Sequence, residues 1–106
     1  MNVSFDVDGT IIHVGHLVER FQKFGDDVFI VTTRNSDKPN IDLYNLADAL
    51  RIKHENIHFT EQQLKLDTLH NLNIQLHFDD DVIEVDEINR NSTKCTALLV
   101  NFKMNY

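Results

Sequence analysis

The sequence predicts an α/β fold of the doubly wound, Rossmann-like kind: about five parallel strands in one sheet, covered by helices on both faces as three layers. Three observations carry this expectation. Short apolar runs alternate with amphipathic helical stretches along the chain, a βαβαβαβαβ order that calls for parallel crossovers. The run Val28-Phe29-Ile30-Val31 is apolar without a break, as suits a strand covered on both faces. Polar residues gather just after the runs, beyond the carboxyl ends of the strands, where such sheets bind their ligands.

Each element has its own signal. Val3 to Val7 reads as the first strand. Residues 15–24 read as a helix with Leu17, Val18, Phe21 and Phe24 on one stripe, and Gly25 follows as a C-terminal cap. Val28 to Val31 is the second strand, with Thr32-Thr33-Arg34 at its carboxyl end. Polar residues from Asn35 to Asn40 lead into a second helix, Pro39 lying near its start, with Leu43, Leu46, Ala47 and Leu50 as its apolar stripe. Ile57-His58-Phe59 is a short third strand. Thr60-Glu61-Gln62-Gln63 has the spacing of a capping box, which would open a third helix running to about Leu72. Ile74 to Phe78 is the fourth strand and ends in Asp79-Asp80-Asp81. Within it Gln75 and His77 alternate with apolar residues, which predicts one exposed or interface-forming face. Val82 to Asn89 is a fourth helix, and Thr96 to Phe102 a closing strand. The order of strands in the sheet does not follow from the sequence.

Size and composition narrow the class. A chain of 106 residues, 42% hydrophobic and 25% charged, predicts one globular domain over residues 1–106. A net charge of −7 works against non-specific binding to a nucleic-acid backbone, although a local basic patch could outweigh it. The one cysteine, Cys95, sits in an apolar stretch and reads as a buried, inert thiol in a reducing compartment, the cytoplasm. No signal peptide is expected, and no apolar run approaches membrane-spanning length. His13 and His16 stand three apart without a second ligand pair, which makes a zinc site a poor reading of them.

The chemistry concentrates at one predicted edge. If the first strand continues through Val7, Asp6 and Asp8 project to the same side, roughly 7 Å apart at about 3.3 Å per residue. Two such carboxylates repel unless a cation or a shared proton joins them. Asp79 and Asp80 end the fourth strand and Thr32 the second, so architecture brings them toward the same edge. Among the lysines, Lys65 lies early in the third predicted helix, and its i+4 and i+7 neighbours are Leu69 and Leu72. It therefore points to the apolar side, where an ammonium is costly unless carboxylates pair with it.

These pieces, in this order, resemble the haloacid dehalogenase-like (HAD) superfamily of phosphotransferases. Asp6-Val7-Asp8-Gly9-Thr10 matches that family's first motif, D-x-D-G-T. Thr32 matches the second, a Thr or Ser after an apolar strand, and Thr32-Thr33-Arg34 is similar to its T-G-R form with Thr33 in place of glycine. Lys65 corresponds to the third motif, and Asp79-Asp80, with Glu84 beyond, to the fourth. The resemblance implies a phosphatase or phosphotransferase in which Asp6 attacks phosphorus to give an aspartyl-phosphate. Asp8 would protonate the leaving group and then activate water. It implies Mg²⁺ held by the Asp6 carboxylate, the Asp8 backbone carbonyl and Asp80, with Asp79 or Glu84 acting directly or through water. Thr32, Lys65 and backbone amides after Asp8 would hold the phosphoryl oxygens, with Thr33 beside them, while Arg34 either binds a substrate anion with them or pairs with a surface carboxylate. The family often carries a cap domain, for which neither Gly9–Asp27 nor Asn35–Leu64 has room. The phosphatase would act on a nucleotide, a nucleic-acid end or a phosphoprotein, and the lack of a cap implies a macromolecular substrate that covers the site itself or a lid from a partner subunit, in a homo-oligomer for example. The competing expectation is a catalytically idle protein of this fold that binds metal or partners at its acidic edge.

Overall fold

The computed structural model describes residues 1–101; Phe102, expected in the closing strand, lies outside the described residues. Five strands form one parallel sheet: β1 (Asn2–Phe5), β2 (Asp27–Thr32), β3 (Ile57–Phe59), β4 (Leu76–Asp79) and β5 (Thr96–Leu99). Between them run α1 (Gly15–Lys23), α2 (Ile41–Ala49), α3 (Leu66–Asn71) and α4 (Val82–Asn91). The spatial order is β3-β2-β1-β4-β5. From β1 the chain builds outward to β2 and β3, then returns past β1 to lay down β4 and β5 on the other side. The strand order reverses between β1 and β4, so a crevice opens at their carboxyl ends.

Right-handed crossovers put α1 and α2 on one face and α3 and α4 on the other. The packing agrees. Val18, Leu43 and Ala47 join Val3, Phe5, Val28 and Ile30 in one core, while Leu69 and Ile88 join Val31, Ile74 and Ala97 in the second. In the first core Phe5 stacks on Phe78 with centroids 4.8 Å apart, and Phe21 meets Phe5 edge-on. Burying these rings and aliphatic side chains supplies the main stabilisation, about 1.5–3 kcal/mol per fully buried large side chain. Cys95 is buried in the second core, as expected, and burial pushes its thiol pKa up to about 11.

Of the expected boundaries that shift, four have a visible reason, while β5 ends at Leu99, short of the expected Phe102. Strand β1 ends at Phe5, and Val7–Ile11 close a wide turn in which Gly9 takes φ +74°. Phe24 falls just past α1 and is exposed, while Gly25 has φ +84° and its amide donates to the Gln22 carbonyl. Thr60–Gln63 is a turn and not a capping box: Glu61 and Gln62 have φ of 56° and 68°. There the Thr60 and Gln62 amides donate to the carbonyls of Thr32 and Thr33, and the Thr60 hydroxyl donates to the Gln63 carbonyl. Those bonds carry the β2–β3 pairing past the strand ends, so the helix begins only at Leu66, with Lys65 in front of it. Finally, β4 starts at Leu76 and His77 is fully buried, so its face is neither exposed nor an interface.

Candidate active site

The crevice between β1 and β4 holds a buried charge cluster. Asp6, the first residue after β1, is fixed by its amide, which donates to the Phe78 carbonyl of β4 at 2.9 Å. Asp79 is the last residue of β4. Between their carboxylates sits Lys65, 1% exposed, whose Nζ donates to Asp6 Oδ1 at 2.8 Å and to Asp79 Oδ2 at 2.6 Å. The Thr10 hydroxyl donates to the other Asp6 oxygen at 3.2 Å. Lys65 is held from behind by its own amide, which donates to the buried Glu84 carboxylate at 3.1 Å. No buried side-chain nitrogen or oxygen among the described residues lacks a partner.

The electrostatics follow from this burial. Loss of water pushes the Asp6 carboxyl up to about 7; Lys65 opposes that rise, and the Asp79 charge adds to it. Burial would also raise Asp79, but the His77 hydrogen bond and the Lys65 charge prevail and hold it below the ordinary 3.8. Lys65 shows the reverse balance, since burial depresses an ammonium and two carboxylates outweigh it, leaving its pKa above 10.5. Burial raises Glu84. Asp79 therefore stays ionised, while Asp6 sits near its midpoint at neutral pH.

The aspartate run after β4 divides its work. Asp81 caps α4, its carboxylate accepting from the amides of Ile83 and Glu84. Asp79 has both oxygens engaged: Oδ2 by Lys65 and His77, Oδ1 by the Asp81 amide at 3.0 Å. Asp80 is exposed, and its carboxylate lies over Gly9, where a Cβ would come within 2.2 Å of Oδ2. Asp6, Asp79 and Asp80 each offer an oxygen within 4.8 Å of the others. Three clustered carboxylates, two of them bonded to Lys65 and the third given space by Gly9, offer the hard oxygen ligands that a divalent cation such as Mg²⁺ takes. Asp6 and Asp80 are the members with ligand capacity to spare.

Comparison of the chain with protein-family models and with curated proteins finds no match.

The remaining expected residues divide. Thr32 is buried at the end of β2, and its hydroxyl accepts from the Arg34 amide at 3.2 Å. Thr33 is half-buried beside it. Asp8 does not stand parallel to Asp6, because the turn at Gly9 carries it outward: its side chain is 66% exposed. Both its oxygens are taken by Arg34, at 2.8 Å from Nη2 and 3.1 Å from Nε. The same guanidinium forks onto Asp42 at 2.9 Å twice and reaches Asn40 at 3.4 Å, so all five of its N–H donors are engaged. These bonds raise the Arg34 pKa further. The residue that sequence reasoning missed is His77, bonded to Asp79 at 2.8 Å. A polar residue in the middle of an otherwise apolar strand was its signal.

Proposed function

We propose that this protein is a Mg²⁺-dependent phosphomonoester hydrolase of the HAD type, working through an aspartyl-phosphate on Asp6. The observation that carries this reading is the buried Asp6–Lys65–Asp79 cluster at the β1/β4 crevice. It holds a carboxylate rigidly at the mouth of a strand-order reversal, with an ammonium beside it. Preorganised charge and positioning are what phosphoryl transfer chiefly needs.

Asp6 and Asp80 would hold the ion, with the Asp8 carbonyl, and the bound cation supplies charge neutralisation for the phosphoryl group. The chain's own residues do the rest. The Asp6 carboxylate, kept from rotating by Lys65 and Thr10, attacks phosphorus; the Asp6–phosphorus bond forms as the bond to the leaving oxygen breaks. Asp8 gives that oxygen its proton, then takes one from the water that cleaves the acyl phosphate. Lys65 has a third N–H to offer a phosphoryl oxygen, and Thr32 lies at the neighbouring strand end. Arg34 contributes to phosphate binding only by releasing a carboxylate, and Asp8 is the one that must move to carry a proton.

A macromolecular phosphorylated substrate is the favoured class. The exposed Ile12, Ile41, Leu64, Val82 and Ile83 all lie on segments that leave or enter the sheet at its carboxyl edge, an apolar rim that a large substrate would cover. No helix among the described residues is long and apolar enough to cross a membrane. The single, buried cysteine supports a cytoplasmic setting.

A second reading, an idle metal- or partner-binding protein, has one observation in its favour: Arg34 occupies both oxygens of Asp8, the proton carrier of the first reading. Phosphate release separates the two. With Mg²⁺ and a panel of aryl, nucleotide, nucleic-acid-end and phosphopeptide monoesters, wild type releases phosphate and Asp6→Asn does not. Absence of release across the panel, with Asp6→Asn indistinguishable from wild type, rejects the enzyme.

A further inference from the structure

Behind the charge cluster a polar chain runs into the sheet. Ser4 and His77 are register partners on the central strands β1 and β4. Their neighbours along each strand, Val3 and Phe5 on one and Leu76 and Phe78 on the other, belong to the first apolar core. Ser4 and His77 point to the opposite face, and both are wholly buried. Ser4 Oγ lies 2.6 Å from His77 Nδ1, and His77 Nε2 lies 2.8 Å from Asp79 Oδ2, the oxygen that also receives Lys65 Nζ at 2.6 Å.

A buried imidazole and hydroxyl cost free energy unless each polar atom is paired. Two apolar residues would fill this interior cross-strand pair without that cost. The chain instead carries two polar side chains whose only bonds among the described residues are to each other and to Asp79. Chemistry fixes the polarity of the chain. An ionised carboxylate only accepts, so Nε2 carries the ring proton and donates to Asp79; Nδ1 then accepts from the Ser4 hydroxyl.

We propose that His77, oriented by Ser4, is a positioning residue that aims the Asp79 carboxylate at Lys65 and thereby fixes the Lys65 ammonium against Asp6. This rests on the phosphatase reading for its kinetic consequence, but its structural content does not. With Asp79 Oδ1 tied to the Asp81 amide and Oδ2 to His77, the carboxylate is held against rotation, and the ammonium it grips is held between Asp79 and Asp6. The imidazole thus does for Asp79 what outer partners do for ligands in metal sites, where their loss costs about 10–100-fold in activity or affinity.

The test compares wild type with His77→Gln, His77→Leu and Ser4→Ala in the full chain. In His77→Leu kcat falls by about 10–100-fold with KM little changed. His77→Gln, whose amide can still donate to Asp79, recovers most of that loss, and Ser4→Ala loses less than His77→Leu. A folded His77→Leu with wild-type kcat, or His77→Gln as impaired as His77→Leu, overturns the proposal. Two readouts need no catalysis. Nitrogen-15 spectra of wild type show His77 protonated at Nε2 and bare at Nδ1, and the opposite tautomer overturns the proposal even if His77→Leu does not fold. Hydrogen exchange of the Lys65 ammonium is slow in wild type and His77→Gln and at least about tenfold faster in His77→Leu, by the same loss of fixation; unchanged exchange overturns it. Slow exchange and the Nε2–H tautomer, with no phosphate released by wild type, leave the positioning role intact and reject the phosphatase.

Discussion

Replacing Lys65 with methionine keeps the length and apolar stem of the side chain and removes its charge. In the folded protein that leaves Asp6 and Asp79, both buried, facing each other without the ammonium that now sits 2.8 Å and 2.6 Å from them. At an effective dielectric of about 20, each of those pairs is worth roughly 6 kcal/mol of Coulomb attraction before desolvation is charged against it. Breaking a buried pair by deleting one partner costs about 3–5 kcal/mol net. On a domain of roughly 100 residues that lowers the midpoint of thermal unfolding by roughly 12–25 °C. The loss is also pH-dependent. Without Lys65, burial and mutual repulsion raise both carboxyl pKa values in the folded state, so the folded variant binds protons more tightly than the unfolded chain. Its deficit relative to wild type therefore grows as pH rises, and shrinks on acidification. Thermal melts of both proteins from pH 5 to pH 8 read this directly. A deficit below about 1 kcal/mol, or one that does not change with pH, would show that the Lys65 head is solvated and refute the buried cluster.

Three other outcomes follow from the same geometry. Asp6 has its pKa raised from 3.8 to about 7, so the stability it contributes is complete below pH 3.8 and lost as pH rises through 7. His77, whose pKa burial lowers from 6.5, works in the opposite direction below that value. The Asp6 contribution is therefore read as the difference in pH slope between wild type and Asp6→Asn, which is flatter between pH 4 and pH 7; parallel curves contradict the assignment. Gly9→Ala meets both φ +74° and the Asp80 carboxylate at 2.2 Å, so it costs about 1–2 kcal/mol and displaces Asp80. Isothermal titration then finds weaker Mg²⁺ binding than wild type, and an unchanged affinity removes Asp80 from the ion site. Asp81→Ala deletes the cap of α4 and costs about 0.5–2 kcal/mol by urea unfolding with Mg²⁺ affinity retained; a lost affinity would make Asp81 a ligand instead.

The order of strands and helices was legible because each element carried its own period and punctuation, and the unbroken Val28–Val31 run announced a sheet covered twice. Lys65 was legible for a related reason. A lysine four and seven residues before Leu69 and Leu72 had to turn inward and find carboxylates, and the strand ends at Asp6 and Asp79 offered them at its own edge, even though the helix begins only after it. The direction of Asp8 was not, because it depends on how far β1 extends, and beyond the turn through Gly9 its carboxylate is taken by Arg34, a residue 26 positions away. The Thr60–Gln63 turn failed for the same kind of reason: its sequence satisfies a helix start, but the carbonyls of Thr32 and Thr33 claim its amides first. His77 looked like a sign of an exposed face because its partners, Ser4 and Asp79, are brought to it by strand register and by the sheet order, and only the folded chain supplies both.

The proposed function stands or falls on covalent phosphorylation of Asp6. Protein mixed with a labelled phosphomonoester and Mg²⁺ is quenched in acid within the first turnover, digested, and mapped by mass spectrometry. The expected result is a hydroxylamine-sensitive acyl phosphate on the peptide that contains Asp6, absent from Asp6→Asn and accumulating in Asp8→Asn, where hydrolysis of the acyl phosphate is slowed. Phosphate release by wild type with no modification of Asp6 under any quench time, or a phosphoryl group found on another residue, would contradict it.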